Sequence, residues 1–168
     1  MDVGIRIAEP GDLDVLTASM GQRAFFGDRL DRQGRGGGVL LVAVSAGVVV
    51  GDVYVSWEPP GEPQLAMHLP GVPSLVHLEV APGFRRRGIG TCLVGRAEAE
   101  AMRRGARRLL LGVEGANRGA RRLYERLGYV EWQHGVVPTC WMVERGGRRV
   151  MHRTAVHVLV KELPIPGR

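Results

Sequence analysis

The sequence predicts an α/β protein of the mixed α+β kind, with a central twisted mixed sheet of about seven strands and helices on both faces. Three observations lead there. Strand patterns are grouped early in the chain and then alternate as strand, helix, strand, helix, strand. The run Leu109-Leu110-Leu111-Gly112-Val113 is apolar without alternation, as suits a strand covered on both faces. Over residues 75–91 an apolar run ends at Val80, is broken by Pro82-Gly83, and passes through three arginines and two glycines into a helical pattern. Such a strand, basic glycine loop and helix aim backbone N–H groups and the positive end of a helix at one point, which is how a protein holds a phosphate or pyrophosphate.

Taken in order, residues 3–8 alternate as a short strand, and Pro10-Gly11-Asp12 forms a turn and helix N-cap. Leu13, Leu16 and Met20 make the apolar stripe of the helix that follows, and a second short helix spans 24–31. Residues 34–38 are glycine-rich but lead into a strand, so they read as a flexible connector and not a phosphate cradle. Residues 39–44 and 48–57 form a hairpin about Ser45-Ala46-Gly47. Residues 58–74 contain five prolines and are expected to lack regular structure, in a loop long enough to be functional, with His68 a solvated histidine within it. Residues 91–104 form a helix with Leu93, Val94, Ala97 and Ala101 inward and Gly105 as its stop. Residues 117–127 form another, capped by Asn117 and ended by Gly128, with Ala120, Leu123, Tyr124 and Leu127 at helical spacing. A strand at 129–133, an inserted hairpin or loop at 134–153 with a Gly146-Gly147 turn, and a closing strand at 154–163 complete the chain. Without internal repeats, residues 1–168 read as one domain.

Hydrophobic content of 45% and charged content of 24% are ordinary for a soluble globular protein. The net charge of +6 raises the question of nucleic acid, and its distribution answers it. Residues 85–126 hold twelve arginines against Glu98, Glu100, Glu114 and Glu125, while the remainder has eleven basic and thirteen acidic residues. The basic excess surrounds the glycine loop, where a polyphosphate ligand would lie, and the mildly acidic remainder suits a cationic substrate. With aromatics at only 5%, nucleic acid is not expected as a partner. Cys92 and Cys140 are too few and too far apart for a disulfide framework or zinc site, so both read as reduced thiols and no metal is expected. The chain opens on no leader pattern, and its longest apolar stretch, 39–50, is interrupted and too short to cross a bilayer; no membrane association and a cytoplasmic location are the expectations.

Arg85-x-x-Gly88-x-Gly90 follows a strand ending Leu78-Glu79-Val80, and Asn117-x-x-Ala120-x-x-x-Tyr124-x-x-x-Gly128-Tyr129 follows downstream. In order, placement and spacing these resemble the two halves of the acetyl-CoA signature of the GNAT N-acetyltransferases, closely over residues 75–132 and in element order before that. The resemblance implies the GNAT acyl-CoA N-acyltransferase fold, with acetyl-CoA as cosubstrate laid against the splayed ends of strands 75–80 and 109–113. It implies that the pantetheine arm pairs with the backbone of Leu78 to Val80. The amides of Arg86, Arg87, Gly88, Ile89, Gly90 and Thr91 would hold the pyrophosphate, and Arg85, Asn117, Ala120 and Tyr124 complete the cofactor contacts. Glycine at 88 and 90 lets a phosphate approach the backbone closely.

The implied reaction is direct attack of a primary amine on the thioester. An alkyl amine with pKa ~10.4 is almost wholly protonated at pH 7, so a group must take its proton. The resemblance gives the Val80 N–H as donor to the oxyanion and Tyr124 as the general acid, or hydrogen-bond donor, for the departing thiolate. Glu79 lies at the strand end beside the expected thioester, on the same strand face as His77 because both positions are odd. It is the candidate base or water relay, against a face that is simply covered or solvated. Members that acetylate protein N-termini carry a glutamate five residues before the motif asparagine; here that position is Gly112, with Glu114 two residues on. Arg118, Arg121 and Arg122 stand either near CoA phosphates or on an exposed helix face. The acceptor site falls to residues 58–74 and 134–153, which leaves open a small-molecule or a peptide amine, and a homodimer is equally open. A CoA-binding module of the same fold without catalysis, a sensor or partner domain, is the competing reading.

Overall fold

The computed structural model describes residues 2–164; Met1 and residues 165–168, included in the expected domain, lie outside them. In chain order the elements are β1 (Gly4–Ile7), α1 (Leu13–Met20), α2 (Arg23–Gly34), β2 (Gly38–Ser45), β3 (Val48–Ser56), α3 (Pro63–His68) and β4 (Ser74–Val80). They continue with α4 (Ile89–Arg103), β5 (Arg108–Glu114), α5 (Arg118–Arg126), β6 (Val130–Glu131), β7 (Val137–Arg145) and β8 (Arg148–Glu162). Among the described residues the strands form one eight-stranded sheet in the order β1-β2-β3-β4-β5-β8-β6, with β7 also paired to β8. The pairing is antiparallel except between β4 and β5, which is parallel.

The mixed sheet with helices on both faces is as the sequence predicts, and the reason lies in where each apolar stripe is buried. On one face Leu93, Val94, Ala97 and Ala101 of α4 and Tyr124 of α5 pack on Leu41, Val53, Leu109 and Leu111. On the other, Leu16, Phe26 and Leu30 of α1 and α2 cover Leu40, Val42 and Tyr54, and Leu65 and Leu69 of the α3 region cover Leu110, Val156 and Val158. The continuous apolar run of β5 is thereby explained: Leu109, Leu111 and Val113 serve one core and Leu110 the other. Each fully buried aliphatic side chain contributes about 1.5–3 kcal/mol.

Five expectations need correction. The proline-rich stretch 58–74 does contain a helix, α3, because Pro63 occupies its first turn, where the missing N–H has no intrahelical partner to lose. The second helix is longer than 24–31, running from Arg23 to Gly34. The strand at 129–133 shrinks to Val130–Glu131. The hairpin expected within 134–153 is present and turns at Gly146 and Gly147, both with positive φ, but its second arm and the expected closing strand at 154–163 are one continuous strand, β8. Gly38, read as connector, is the first residue of β2, and a Cβ there would stand 2.1 Å from the Tyr54 hydroxyl.

Two departures from regularity position the site. β4 and β5 share a single register pair, Ser74 with Leu110, at their N-terminal ends and then diverge. In β4 the register against β3 slips opposite Val53 and Tyr54, leaving His77 as an unpaired bulge residue with φ 54°. Among the described residues no helix is long and apolar enough to cross a membrane.

Candidate active site

The gap between β4 and β5 opens toward the N-terminus of α4. Pro82–Phe84 forms a short 3-10 turn after Val80, and Gly88 caps α4 in the left-handed region at φ 79°, a conformation that favours glycine. No side chain caps this helix, so its first N–H groups are free to meet an anion. Arg86 is also left-handed, at φ 60°, and alternation of hand in the backbone makes a concave nest of N–H groups. Gly90 differs from Gly88. A Cβ at Gly90 would meet Leu123, Leu78 and Val80 at 3.5–4.0 Å, ordinary contact, so packing alone does not demand glycine there. Arg85 folds back, its Nε donating to the Val80 carbonyl at 2.9 Å. Arg87 lies over the Phe84 ring at 5.5 Å. Ile89 is buried as the first helical core contact, and Thr91 is exposed in the first turn of α4.

The backbone of β4 faces the gap at the expected residues. The Ala81 N–H donates to the Val50 carbonyl at 2.9 Å, and the two-residue alternation of an antiparallel ladder then turns the Val80 N–H away from β3 and toward the gap. Leu78, two residues earlier and past the bulge, has the same sense. A nest of N–H groups, an uncapped helix and a strand edge with outward amides match in kind the diphosphate and amide-bearing arm of coenzyme A.

The second motif serves capping and packing. The Asn117 side chain accepts from the Ala120 N–H at 3.2 Å, so it is the N-cap of α5. Ala120 is half-buried against the core. Tyr124 is buried at 6% exposure, edge-on to Tyr129 with 5.7 Å between ring centroids, and burial pushes its phenol above the ordinary value. Leu123 beside it reaches Gly90, which joins the two halves of the signature in space. Arg121, partly buried, is committed to Glu125 and Glu131 at 2.8 and 2.7 Å.

On the face covered by α1 and α2, Glu79 belongs to a cluster that pattern reading saw in part. His77 Nδ1 is 2.8 Å from Asp52 Oδ1, its Nε2 is 3.3 Å from Glu79 Oε2, and Gln22 Nε2 donates to that same oxygen at 3.2 Å. Burial lowers the basicity of the ring, but its hydrogen bonds to Asp52 and Glu79 outweigh this and push it up to about 9. The hydrogen bond from His77 holds Glu79 below the usual carboxylate range, against burial. Burial raises Asp52, with His77 opposing. His77 and Glu79 do meet, though the bulge at His77 means that odd-numbered alternation is not what joins them. Asp52 was missed; its signal was a lone acid inside the apolar run 48–55. Gln22, left-handed at the α1–α2 junction, has no sequence signal of its own.

At the opposite wall a Cβ on Gly112 would stand 2.9 Å from Val156 Cγ2, so the glutamate of the N-terminal acetylating pattern would have to displace Val156. Glu114 instead pairs with His152 at 3.1 Å, whose ring lies 4.8 Å from Trp141. Thr139 donates to Glu62 at 2.6 Å, tying β7 to the 58–74 segment. His68 is exposed, as expected, but stacks on His134 at 3.7 Å. Cys92 and Cys140 are free and exposed.

The chain is similar in sequence and in fold to known proteins. The family model described as the acetyltransferase (GNAT) family matches residues 13–129. An uncharacterized N-acetyltransferase from Methanocaldococcus jannaschii is 48% identical over 52 residues, 31% of this chain; the match spans about a quarter, 23%, of that relative's length. The ribosomal-protein-S18-alanine N-acetyltransferase from Escherichia coli is similar in fold, with a TM-score of 0.69 at 17% identity, covering 99% of this chain and 97% of that one. A GNAT family acetyltransferase from Elizabethkingia anophelis, solved with acetyl-CoA bound, superposes with a TM-score of 0.63 at 17% identity, covering 96% and 98%. The family match covers most of the chain and takes in the cradle, the gap and α5, and the chain therefore belongs to the GNAT acetyltransferase family.

Proposed function

We propose that this protein is an N-acetyltransferase that moves an acetyl group from acetyl-CoA to a primary amine by direct attack on the thioester. The observation that carries the reading is the divergence of β4 and β5 beside the uncapped N-terminus of α4, where Leu123 of α5 reaches Gly90. Acetyl-CoA, when bound, supplies the activated acyl group. The amides of Arg86 to Thr91 hold the diphosphate, and the Leu78 and Val80 backbone aligns the arm. The Val80 N–H donates to the thioester oxygen as negative charge develops there. Tyr124, a phenol neutral at pH 7 whose pKa burial raises further, donates to the departing sulfur.

The amine approaches from the α1–α2 side, where Glu79, 32% exposed at its side chain, receives its charge and then its proton. An anionic acceptor side agrees with a cationic substrate, and the β7–β8 hairpin with the 58–74 segment would select among amines. The Escherichia coli protein of similar fold acts on an alanine of a ribosomal protein, so peptides belong in the acceptor panel beside small amines.

The test is calorimetric titration of acetyl-CoA followed by thiol release with small amines, amino acids, and peptides bearing free N-termini or lysines. Binding with amine-dependent release is expected. Absence of binding defeats the reading, and binding without release by any amine favours a non-catalytic CoA module.

A further inference from the structure

The structure retains a buried carboxylate where an apolar residue would serve the core. Asp52 is 0% exposed in a strand whose neighbours Val49, Val50, Val53 and Tyr54 are core residues. Its Oδ2 has no hydrogen-bond partner among the described residues. A half-satisfied buried carboxylate is costly to keep. Its other oxygen meets His77, and His77 is itself held in a left-handed conformation that residues with a Cβ seldom adopt. Both irregularities converge on Glu79. Asp52, His77 and Glu79 also have the donor types of a metal site. Each ring nitrogen, however, faces a different carboxylate, and one imidazole cannot offer both nitrogens to a single ion. The arrangement is a hydrogen-bonded relay.

We propose that Asp52 and His77 are positioning residues for Glu79. Asp52 fixes the ring through Nδ1, the Nε2–H is thereby presented to Glu79 Oε2, and Oε1 is left as the atom that receives the amine proton. The proton shared between Nδ1 and Asp52 then decides whether Glu79 faces a cation or a neutral ring. This rests on the acetyl-transfer reading above.

With the ring protonated, Glu79 is a good anchor for an ammonium and a weak base. Moving the Nδ1 proton onto Asp52, whose carboxyl burial has made more basic, removes the cation beside Glu79 as the amine proton reaches Oε1. The protons balance. The ammonium loses one N–H to Glu79, one ring N–H becomes the O–H of Asp52, and Nε2–H is retained. The cluster passes from one negative charge to none while the amine passes from cation to neutral. The elements packed on the ring contribute Phe25 and Phe26 from α2, at 4.5 and 6.3 Å between centroids, and the neutral Gln22 on Glu79. Arg85, from the loop after β4, acts on Glu79 and helps to hold it ionised.

The test uses the full chain in two arms. Side-chain 15N NMR of the substrate-free protein should show His77 titrating well above its ordinary 6.5, and Asp52→Asn should lower that titration by about one unit or more. In turnover, His77→Gln should lower kcat about 10-fold or more with the KM for acetyl-CoA unchanged. It should also move the acid limb of kcat to higher pH by about one unit, a displacement that loss of structure alone would not cause. Thiol release by a protein whose His77 titrates at its ordinary value, or whose titration ignores Asp52→Asn, overturns the proposal alone. The expected NMR signature without thiol release from any amine overturns the acetyl-transfer reading, and the proposal falls with it.

Discussion

Replacing Tyr124 with phenylalanine removes one oxygen from the proposed site and little else. The ring is 6% exposed and packed edge-on to Tyr129, so phenylalanine preserves the packing and folding stability should change by less than about 1 kcal/mol. Burial pushes the phenol above its ordinary 10.0, whereas a thiol has an ordinary pKa of ~8.5. Full proton transfer from Tyr124 to the departing thiolate is therefore uphill by more than about 1.5 units, or about 2 kcal/mol. Hydrogen-bond donation requires no such transfer. A hydrogen bond to a charged acceptor is worth about 1.5–3 kcal/mol, so Tyr124→Phe should lower kcat by about 10- to 150-fold. Thiol release at saturating acetyl-CoA and amine measures that loss, calorimetry should find acetyl-CoA affinity little changed, and thermal unfolding should find the fold intact. A loss approaching about 10,000-fold with the fold intact would refute hydrogen-bond donation in favour of obligatory proton transfer. An undiminished kcat would refute any role for the hydroxyl.

Stability should depend on pH through His77. Its pKa is raised from 6.5 to about 9 in the folded chain, so the contribution is fully present below pH 6.5 and lost as pH rises through about 9. Its ceiling is about 3 kcal/mol, partly offset by the raised Asp52. Urea unfolding of the wild type and His77→Gln at pH 6 and pH 10 checks this, and a stability difference that stays constant with pH rejects it. Gly38→Ala should cost about 1–3 kcal/mol, because its Cβ meets the Tyr54 hydroxyl at 2.1 Å and the Val55 carbonyl at 2.5 Å; an unchanged Tm would contradict this. Asn117→Ala removes the α5 cap and should cost about 1 kcal/mol in denaturant unfolding, whereas an unshifted midpoint would show the cap to be idle. Gly112→Glu should destabilise by about 1–3 kcal/mol through Val156 and recover in part with Val156→Ala, and failure of that pair to couple would place the conflict elsewhere.

The parts of the fold that could be read from the sequence are those set by local signals. Gly88, Gly105 and Gly128 each sit at positive φ beside a helix end, Asn117 is a side-chain cap, and the spacing of Leu93, Val94, Ala97 and Ala101 matches the face they bury. The cradle was legible for the same reason, since a nest depends on neighbouring residues. What escaped depends on partners distant in sequence. Counting prolines as breakers hid α3, because only tertiary contacts through Leu65 and Leu69 stabilise so short a helix. The Gly146-Gly147 turn was visible, but the continuity of β8 follows from its pairing with β5 over 156–162, some 45 residues upstream in sequence.

The bulge in β4 is the irregularity that lets one strand serve two approaches. By the antiparallel alternation, the backbone amides of Leu78 and Val80 face the gap to β5, while the side chains of His77 and Glu79 lie on the α1–α2 side with Asp52. In an unbroken strand His77 and Glu79 would sit two residues apart on one face, with side chains roughly parallel. At φ 54° the imidazole instead lies between Asp52 of β3 and Glu79 of its own strand, one nitrogen to each. An alternation argument therefore reaches the correct pair of residues without reaching Asp52, the residue that gives the pair its direction. The readable trace of Asp52 was its chemistry: an acid among valines in the buried middle of a strand has to be compensated by a nearby donor, and among the described residues that donor is His77.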